Sequence, residues 1–509
     1  MSVTHILVDG SWRASQSGAT FQAMNPKTMQ PLPGQFPIST WADLEPMLAA
    51  ASKAFEQLRA LPDEQRALFL ESYATLIEKN KSQLAELATL ETGLPVEPRL
   101  VVNEIPRTVD QLRQAAQSVR RNDWQLATHD AQRNIHSCYI PLGPVLVIGP
   151  NNFPFAYNSV SGGDFASAIA AGCPVIAKGH PAHPGTTQKL AELAQQAASD
   201  ANLPPGTVQM FFHLEPSDGL KLVADHRITS VGFTGSRSTG LALKKVADEH
   251  GKPIFLEMGS LNPVVLLPGA LEERFDALLE EVTGSCLLGM GQFCTNPGLL
   301  FFIEGPKAQA FIDGMKTKYQ TAAVGTLLTQ GVRDNLHASV QALRESGALL
   351  LTGGQPGGGA GFSYQHTLMQ TTGSHFLKLA EALQREAFGN ATLAIVCKNI
   401  DELKSALQQL EGQLVGSIYS DTTGKDNQQY DLLSPVLRNK VGRLLNDRMP
   451  TGVMVSPAMN HGGPYPATGH PHFTAVGFPA SIRRFCMLAC YDNVRPERLP
   501  EVLRKGLSS

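Results

Sequence analysis

Apolar and polar positions along the chain of 509 residues fall into distinct patterns, each with its own stretch. "HILVDGSW", residues 5–12, reads as two short strands around Asp9-Gly10, a dipeptide suited to a tight hairpin turn. From Thr40 to about Arg121 the period becomes helical. Thr40 and Asp43 form a capping pair, and the apolar residues of "LAELATLETGL" recur at helical spacing, so an α-rich layer is predicted. "QRNIHSCYIPLGP" then alternates weakly and is stopped by proline, which predicts an extended excursion before the next unit.

From 144 to 257 short apolar runs alternate with helical segments: "PVLVIGP", "CPVIAK", "TVQMFF", "ITSVGFT" and "KPIFLE". Such alternation is the mark of βαβ units and of a parallel sheet covered by helices. Ligands bind beyond the carboxyl ends of strands in these sheets. That rule makes candidates of Asn151, Asn152, Lys178, Thr234 to Ser236 and Glu257. A second alternation begins at "NPVVLL" (262–267), continues through an amphipathic helix at about 271–288, and resumes as "LLFFIE", "ATLAIV" and "GSIYS". "TGGQPGGGAG" at 352–361 is too rich in glycine for regular structure and is predicted to be a loop.

Composition narrows the function classes. Hydrophobic residues make up 42% and charged residues 17%, as in an ordinary globular chain with more than one core. A formal net charge of −3 gives no reason to expect nucleic acid or an anionic membrane as partner. No apolar run approaches the roughly 18 residues of a spanning helix, and the first residues lack the pattern of a secretion signal, so a cytoplasmic protein is expected. Seven cysteines, an odd number thinly spread, suit free thiols in a reducing compartment.

Two short stretches carry candidate chemistry. "FLEMGSLNP" (255–263) puts Glu257 at the end of an apolar strand, where lost hydration raises a carboxylate toward the range of a general base; a salt-bridged strand end is the plain alternative. "GQFCTNPG" (291–298) puts Cys294 on a loop, since Pro297 prevents continuation of the preceding helix. A thiolate is strongly nucleophilic, whereas Cys286 inside "EVTGSCLLG" reads as core. "GFTGSRSTG" (232–240) follows a strand and opens a helix whose amides suit a phosphate, but it is not a G-x-G-x-x-G fingerprint and also fits a plain turn. His180 and His183 with Cys173, or His470 with His472, lack a second thiol pair, so no metal site is expected. A Cys294/His461 hydrolase leaves the parallel-sheet half without a purpose.

Together "GPNNFPF" (149–155), "AKGHPAHPGTT" (177–187), "GFTGSRSTG", "LEMGS", "GQFCTNPG" and "REAFGN" (385–390) resemble the aldehyde dehydrogenase superfamily, in order and spacing, over essentially the whole chain. The resemblance implies an α/β fold with a Rossmann-like NAD(P)-binding domain (1–127 and 144–257), a second α/β catalytic domain (258–480) and oligomerisation strands (128–143 and 481–496). It implies that Cys294 attacks an aldehyde, that Asn152 and the Cys294 amide hold the oxyanion, and that Glu257 activates the water that releases the acid. Cofactor contacts are implied for Lys178, His180, Pro181, Gly235, Ser236, Gly240, Glu386 and Phe388, with Gly259 leaving room beside the base.

Several positions depart from the family pattern. Asn151 stands where Trp is usual, Ser260 where a second Gly is usual, and Asn390 where Pro is usual. Pro181 replaces the Glu that many members use on the ribose hydroxyls, so nothing repels a 2′-phosphate and the cofactor is NADP or NAD. "KGHPAHPGT" and "NHGGPYPAT" (460–468) resemble the branch of 2-oxoglutarate semialdehyde (2,5-dioxovalerate) dehydrogenases and NADP-dependent fatty aldehyde dehydrogenases. There His461 either assists the thiol or lines the pocket in a turn.

The expected substrate is a small aldehyde. 2-Oxoglutarate semialdehyde leads, a long-chain or general aldehyde is the alternative, and acyl transfer to coenzyme A is disfavoured by the presence of Glu257. Phe155, Tyr157, Asn158, Ser159 and Phe293 give the expected pocket a mixed lining with no obvious Arg. The strand-like excursion and "RRFCMLACYDN" resemble a protruding oligomerisation sheet, so a homodimer or homotetramer is expected.

Overall fold

A computed structural model of the protein describes residues 3–505. All five apolar runs between 144 and 257 form strands: Val145–Ile148, Val175–Lys178, Val208–Phe211, Ser230–Thr234 and Ile254–Glu257. They run parallel, because a helix or helical turn returns the chain between successive strands. The sheet order is Ile254–Glu257, Ser230–Thr234, Val145–Ile148, Val175–Lys178, Val208–Phe211. Strand order therefore reverses between Val145–Ile148 and Ser230–Thr234, and a crevice opens beyond their carboxyl ends. The amino-terminal hairpin, Ile6–Val8 and Ser11–Arg13, extends the far edge antiparallel, turning through Asp9 (φ 48°) and Gly10 (φ 71°).

The helical layer predicted from Thr40 consists of Trp41–Leu58, Asp63–Lys79, Lys81–Thr92 and Ile105–Arg121. Asp43 completes the capping pair: its Oδ2 accepts from the Thr40 amide at 3.0 Å. Apolar residues from this layer and from both faces of the first sheet join in one core, which also takes in Phe478, Ile482 and Phe485 from late in the chain.

The second sheet follows the order Leu349–Thr352, Thr367–Thr372, Ala391–Cys397, Leu299–Ile303, Val264–Leu266, Gln413–Tyr419, Val441–Asn446, parallel except at its first edge. Its two cores follow the strand period of two: Val265, Phe301 and Ile395 face one way, Val264, Leu300 and Ala394 the other. Three strands of this sheet went unread in the sequence, Leu349–Thr352, Thr367–Thr372 and Val441–Asn446. Polar residues interrupt "TLMQTT" and "VGRLLN", and Leu349–Thr352 buries no side chain fully, so none reads as a continuous apolar run. The single helix expected at 271–288 is two, Pro268–Glu273 and Phe275–Leu287, broken at Arg274, whose guanidinium reaches the Ser420 carbonyl and Asp447.

Thr128–Asp130, Ile135–Pro141 and Cys486–Asp492 form a separate antiparallel sheet. Cys486–Asp492 is one of its two edges, and Met487 and Leu488 on that edge are about half exposed, at 49% and 57%. Among the described residues no cysteine is in a disulfide, and no helix is long and apolar enough to cross a membrane.

Candidate active site

Glu257 closes the last strand of the first sheet and is 4% exposed. A carboxylate there needs a partner, because burial without one is costly. His461 supplies it: Nε2 lies 2.7 Å from Glu257 Oε1. The same Nε2 is 3.5 Å from Cys294 Sγ, so one imidazole nitrogen touches both acid and thiol. Glu257 Oε2 is buried with no partner. The segment carrying His461 is fixed to the strand end by the backbone bond from Met258 N to Ala467 O (2.9 Å) and by a bridge between Glu257 and Thr468. The Thr474 hydroxyl accepts from the His461 amide at 2.8 Å.

The thiol sits after a tight turn in which Gly289, Met290 and Gly291 take φ of 55°, 60° and 67°. Gly291 has a definite reason to lack a side chain: a Cβ there would meet the Gly389 carbonyl oxygen at 2.2 Å. Asn262 clamps the turn from below, its Nδ2 donating to the carbonyls of Cys294 (2.9 Å) and Asn296 (2.8 Å). Burial, and next the neighbouring Glu257, push the Cys294 thiol well above its usual range, while Arg107 opposes them. Such a thiol needs a base at hand before it can act as a nucleophile.

Asn152 is also drawn in. Its Nδ2 donates to the Gln292 carbonyl at 3.0 Å, two residues before the thiol, and its own carbonyl accepts from Arg99 Nη2 at 2.9 Å. Arg99 is ion-paired to the buried Glu104, which accepts from the amides of Phe155 (2.9 Å) and Ala156 (3.0 Å). This chain of contacts anchors the loop that follows Val145–Ile148.

Beside the thiol lies a cleft of about 390 Å³, within the range of small-molecule sites. Lys178, His180, Gly235, Ser236, Glu386 and Phe388 line it, as do Val332 and Asn335, which nothing in the sequence had pointed to. Burial lowers Lys178 to about 8 and raises Glu386 to about 7. Glu386 explains Gly259, since a Cβ there would lie 1.8 Å from Glu386 Oε2. Gly235 and Ser236 stand at the start of the helix Arg237–Glu249, where free amides suit a phosphate.

Some expected site residues are elsewhere. Pro181 is half-buried in the turn after Lys178 and is not part of the cleft wall. Gly240 is likewise absent from the wall: it lets the helix pack on Met258, whose sulfur would lie 3.0 Å from an added Cβ. Phe155 is wholly buried in the first core. Asn158 spends its side chain on the Pro154 carbonyl (2.9 Å), the Thr187 hydroxyl (3.0 Å) and the Val160 amide (3.0 Å). Ser159 is buried in the same turn, which Gly149 approaches so closely that a Cβ would meet the Tyr157 carbonyl oxygen at 2.4 Å. That close packing turns Phe155, Asn158 and Ser159 away from a pocket role. Phe293 is half-buried, 5.6 Å from the Phe153 ring, with the Arg99 guanidinium over its face.

The histidines weighed for a metal do not gather with Cys173. His180 and His183 stack on each other at 5.4 Å. Among the described residues, the three metal-type ligand groups that do come together are Glu257, Cys294 and His461, with ligand atoms within 4.8 Å of one another.

A model of the aldehyde dehydrogenase family matches residues 12–431. The chain belongs to that family. A relative from Azospirillum brasilense, alpha-ketoglutaric semialdehyde dehydrogenase 2, is 37% identical, over 99% of this chain and 97% of that protein. Alpha-ketoglutaric semialdehyde dehydrogenase of Acinetobacter baylyi is 35% identical, over 97% of this chain and 94% of its own. Among solved structures, an NAD+ complex of aldehyde dehydrogenase from Bacillus cereus superposes with a TM-score of 0.83 at 20% identity, covering 96% of each chain. The two-sheet architecture with its crevice is thus the aldehyde dehydrogenase fold, and the enzyme is an oxidoreductase acting on aldehydes.

The close approach at Gly259 yields a test. Gly259→Ala displaces Glu386 from the cleft wall and is expected to raise KM for the dinucleotide about tenfold, or ~1.4 kcal/mol, while the melting temperature changes little. An unchanged KM would show that Glu386 can move without consequence.

Proposed function

We propose that this aldehyde dehydrogenase oxidises 2-oxoglutarate semialdehyde to 2-oxoglutarate, with NADP or NAD as oxidant, through a covalent adduct on Cys294. The observation that carries the reading is the contact of His461 Nε2 with both Cys294 Sγ (3.5 Å) and Glu257 Oε1 (2.7 Å). The names and near-complete coverage of the two relatives at 37% and 35% identity support the substrate.

In this reading Cys294 Sγ attacks the aldehyde carbon as its proton is relayed to Glu257: His461 Nε2 hands its own proton to Glu257 Oε1 and takes that of the thiol, and Glu257 gives the proton up to solvent before the second step. Asn152 Nδ2 has a second hydrogen to give besides the one held by Gln292, and with the Cys294 amide it receives the developing oxyanion. Lys178, Gly235, Ser236, Glu386 and Phe388 would hold the dinucleotide in the cleft. A nicotinamide bound in the cleft would supply the acceptor for the hydride that leaves the adduct carbon. Cys294 is left as a thioester. Glu257, through the unpartnered Oε2, then removes a proton from water, which attacks the thioester and releases the acid and the thiolate. Release to water rather than to coenzyme A follows from having a buried base beside the thiol.

Lys178 and His180 border the cleft, with Pro181 in place of a ribose-binding carboxylate, which favours acceptance of a 2′-phosphate and leaves NAD usable. Seven unpaired thiols suit a reducing cytoplasm. Initial rates with 2-oxoglutarate semialdehyde and with octanal, each with NAD and NADP, test the reading. The semialdehyde is expected to give the higher kcat/KM with either cofactor, and a preference for octanal would overturn the substrate assignment.

The half-exposed apolar edge Cys486–Asp492 supports assembly into a homodimer or a dimer of dimers through that edge. Leu488→Asp together with Met487→Lys is expected to lower the mass seen by light scattering at micromolar concentration. A wild-type monomer at that concentration would contradict the assembly.

A further inference from the structure

Two guanidinium groups that the sequence did not associate with the site converge on the segment bordering the thiol. Arg107, from the helix Ile105–Arg121, donates from Nε to the Val453 carbonyl (3.2 Å) and from Nη2 to the Tyr157 hydroxyl (3.2 Å). Arg443, from Val441–Asn446, donates from Nη2 to the carbonyls of Pro450 (2.8 Å) and Gly452 (3.0 Å). The same segment reaches the catalytic turn, where the amide of Gly452 donates to Thr295 Oγ1 at 3.1 Å. Tyr157 completes the link from the other side: its ring lies 5.8 Å from that of His461.

Neither arginine forms an ion pair with a carboxylate among the described residues; the Arg107 guanidinium lies over the Tyr157 ring at 4.9 Å, and its Nη1 is buried with no hydrogen-bond partner. A buried donor left unmade costs about 1–3 kcal/mol, more when it is charged, so the position is suited to a group that arrives with the substrate. The Tyr157 hydroxyl accepts from Arg107, which leaves its own hydrogen free to donate. Burial pushes the Cys294 thiol up and the Arg443 guanidinium down; the charge of Arg107 opposes the first shift and the nearby Cys294 opposes the second, so both arginines lie within electrostatic reach of the thiol.

We propose that Arg107 Nη1, flanked by the Tyr157 hydroxyl and backed by Arg443, forms an anion subsite that holds the remote carboxylate of a short oxo-acid aldehyde while its aldehyde carbon meets Cys294. This rests on the reading of the substrate given above, and it accounts for how a cation reaches a pocket whose nearby sequence shows none. A guanidinium is the group best matched to a carboxylate, and charge-assisted hydrogen bonds of this kind are about twice as strong as neutral ones.

The test compares 2-oxoglutarate semialdehyde with pentanal, a neutral aldehyde of the same chain length, in the full-length wild type, Arg107→Leu and Arg107→Lys. The ratio of kcat/KM for the semialdehyde over pentanal is expected to fall about 100-fold in Arg107→Leu, chiefly through KM, and to recover in part in Arg107→Lys. A ratio unchanged from wild type, with both rates falling together, overturns the subsite and leaves the substrate reading standing. A wild type with no preference for the semialdehyde removes the substrate reading instead. Competition on the wild type then decides the subsite alone, as it does should Arg107→Leu not fold. Glutarate is expected to compete with pentanal where glutaramide does not, and equal behaviour of the two overturns the proposal.

Discussion

The carboxylate of Glu257, buried at the end of a parallel strand, is the constraint on which the site depends. Removing one partner of a buried, charge-assisted pair leaves the other without compensation, at a cost of about 3–5 kcal/mol. His461 meets that requirement at 2.7 Å, and in doing so brings a segment from more than 200 residues later in the chain onto the first sheet. Everything else at the centre follows from that docking. The imidazole nitrogen that partners the acid also faces the thiol, and the thiol's own turn is fixed independently by Asn262. Carboxylate, imidazole and thiol are therefore held from three separate directions, and none relies on a bound molecule to bring it into place.

Buried carboxylates also build the frame. Glu104 ties two amides of the loop after Val145–Ile148 and, through Arg99, the carbonyl of Asn152. Glu91 does similar service at the start of the helix Pro184–Asp200, where it accepts from the amides of Gly185 (2.7 Å) and Thr186 (2.9 Å). Helix starts and tight loops expose amides that need acceptors, and an anion is the strongest acceptor available. The loops around the cleft thereby become rigid without regular structure, which is what a site needs if its donors are to be aimed before reaction.

The first sheet was legible in the sequence because each of its five runs is short and mostly apolar, has Gly or Pro nearby, and alternates with a helical stretch, as strands buried on both faces tend to do. Glu257 and Cys294 were legible for a related reason: a charge closing an apolar run and a thiol between turn residues both break the local pattern. What escaped was set by distance in the chain. Arg107 lies on an amphipathic helix where an arginine reads as a solvated face, and only packing against Tyr157 and Val453 turns it inward. Phe155 ends "GPNNFPF", and Asn158 and Ser159 follow it closely enough to suggest a pocket lining, yet the approach of Gly149 winds that turn into the core. The edge strands of the second sheet were missed because edges carry mixed burial and so lack a clean period.

The central claim is that an acyl group is carried on Cys294 and is released by Glu257. Rapid mixing of Glu257→Gln with 2-oxoglutarate semialdehyde and NADP, followed by mass spectrometry of the quenched enzyme, tests it most directly. The account predicts a burst of NADPH matching the enzyme concentration, then a stall, with the acyl group on the peptide that contains Cys294. Steady turnover at the wild-type rate, or an adduct on another residue, would contradict it.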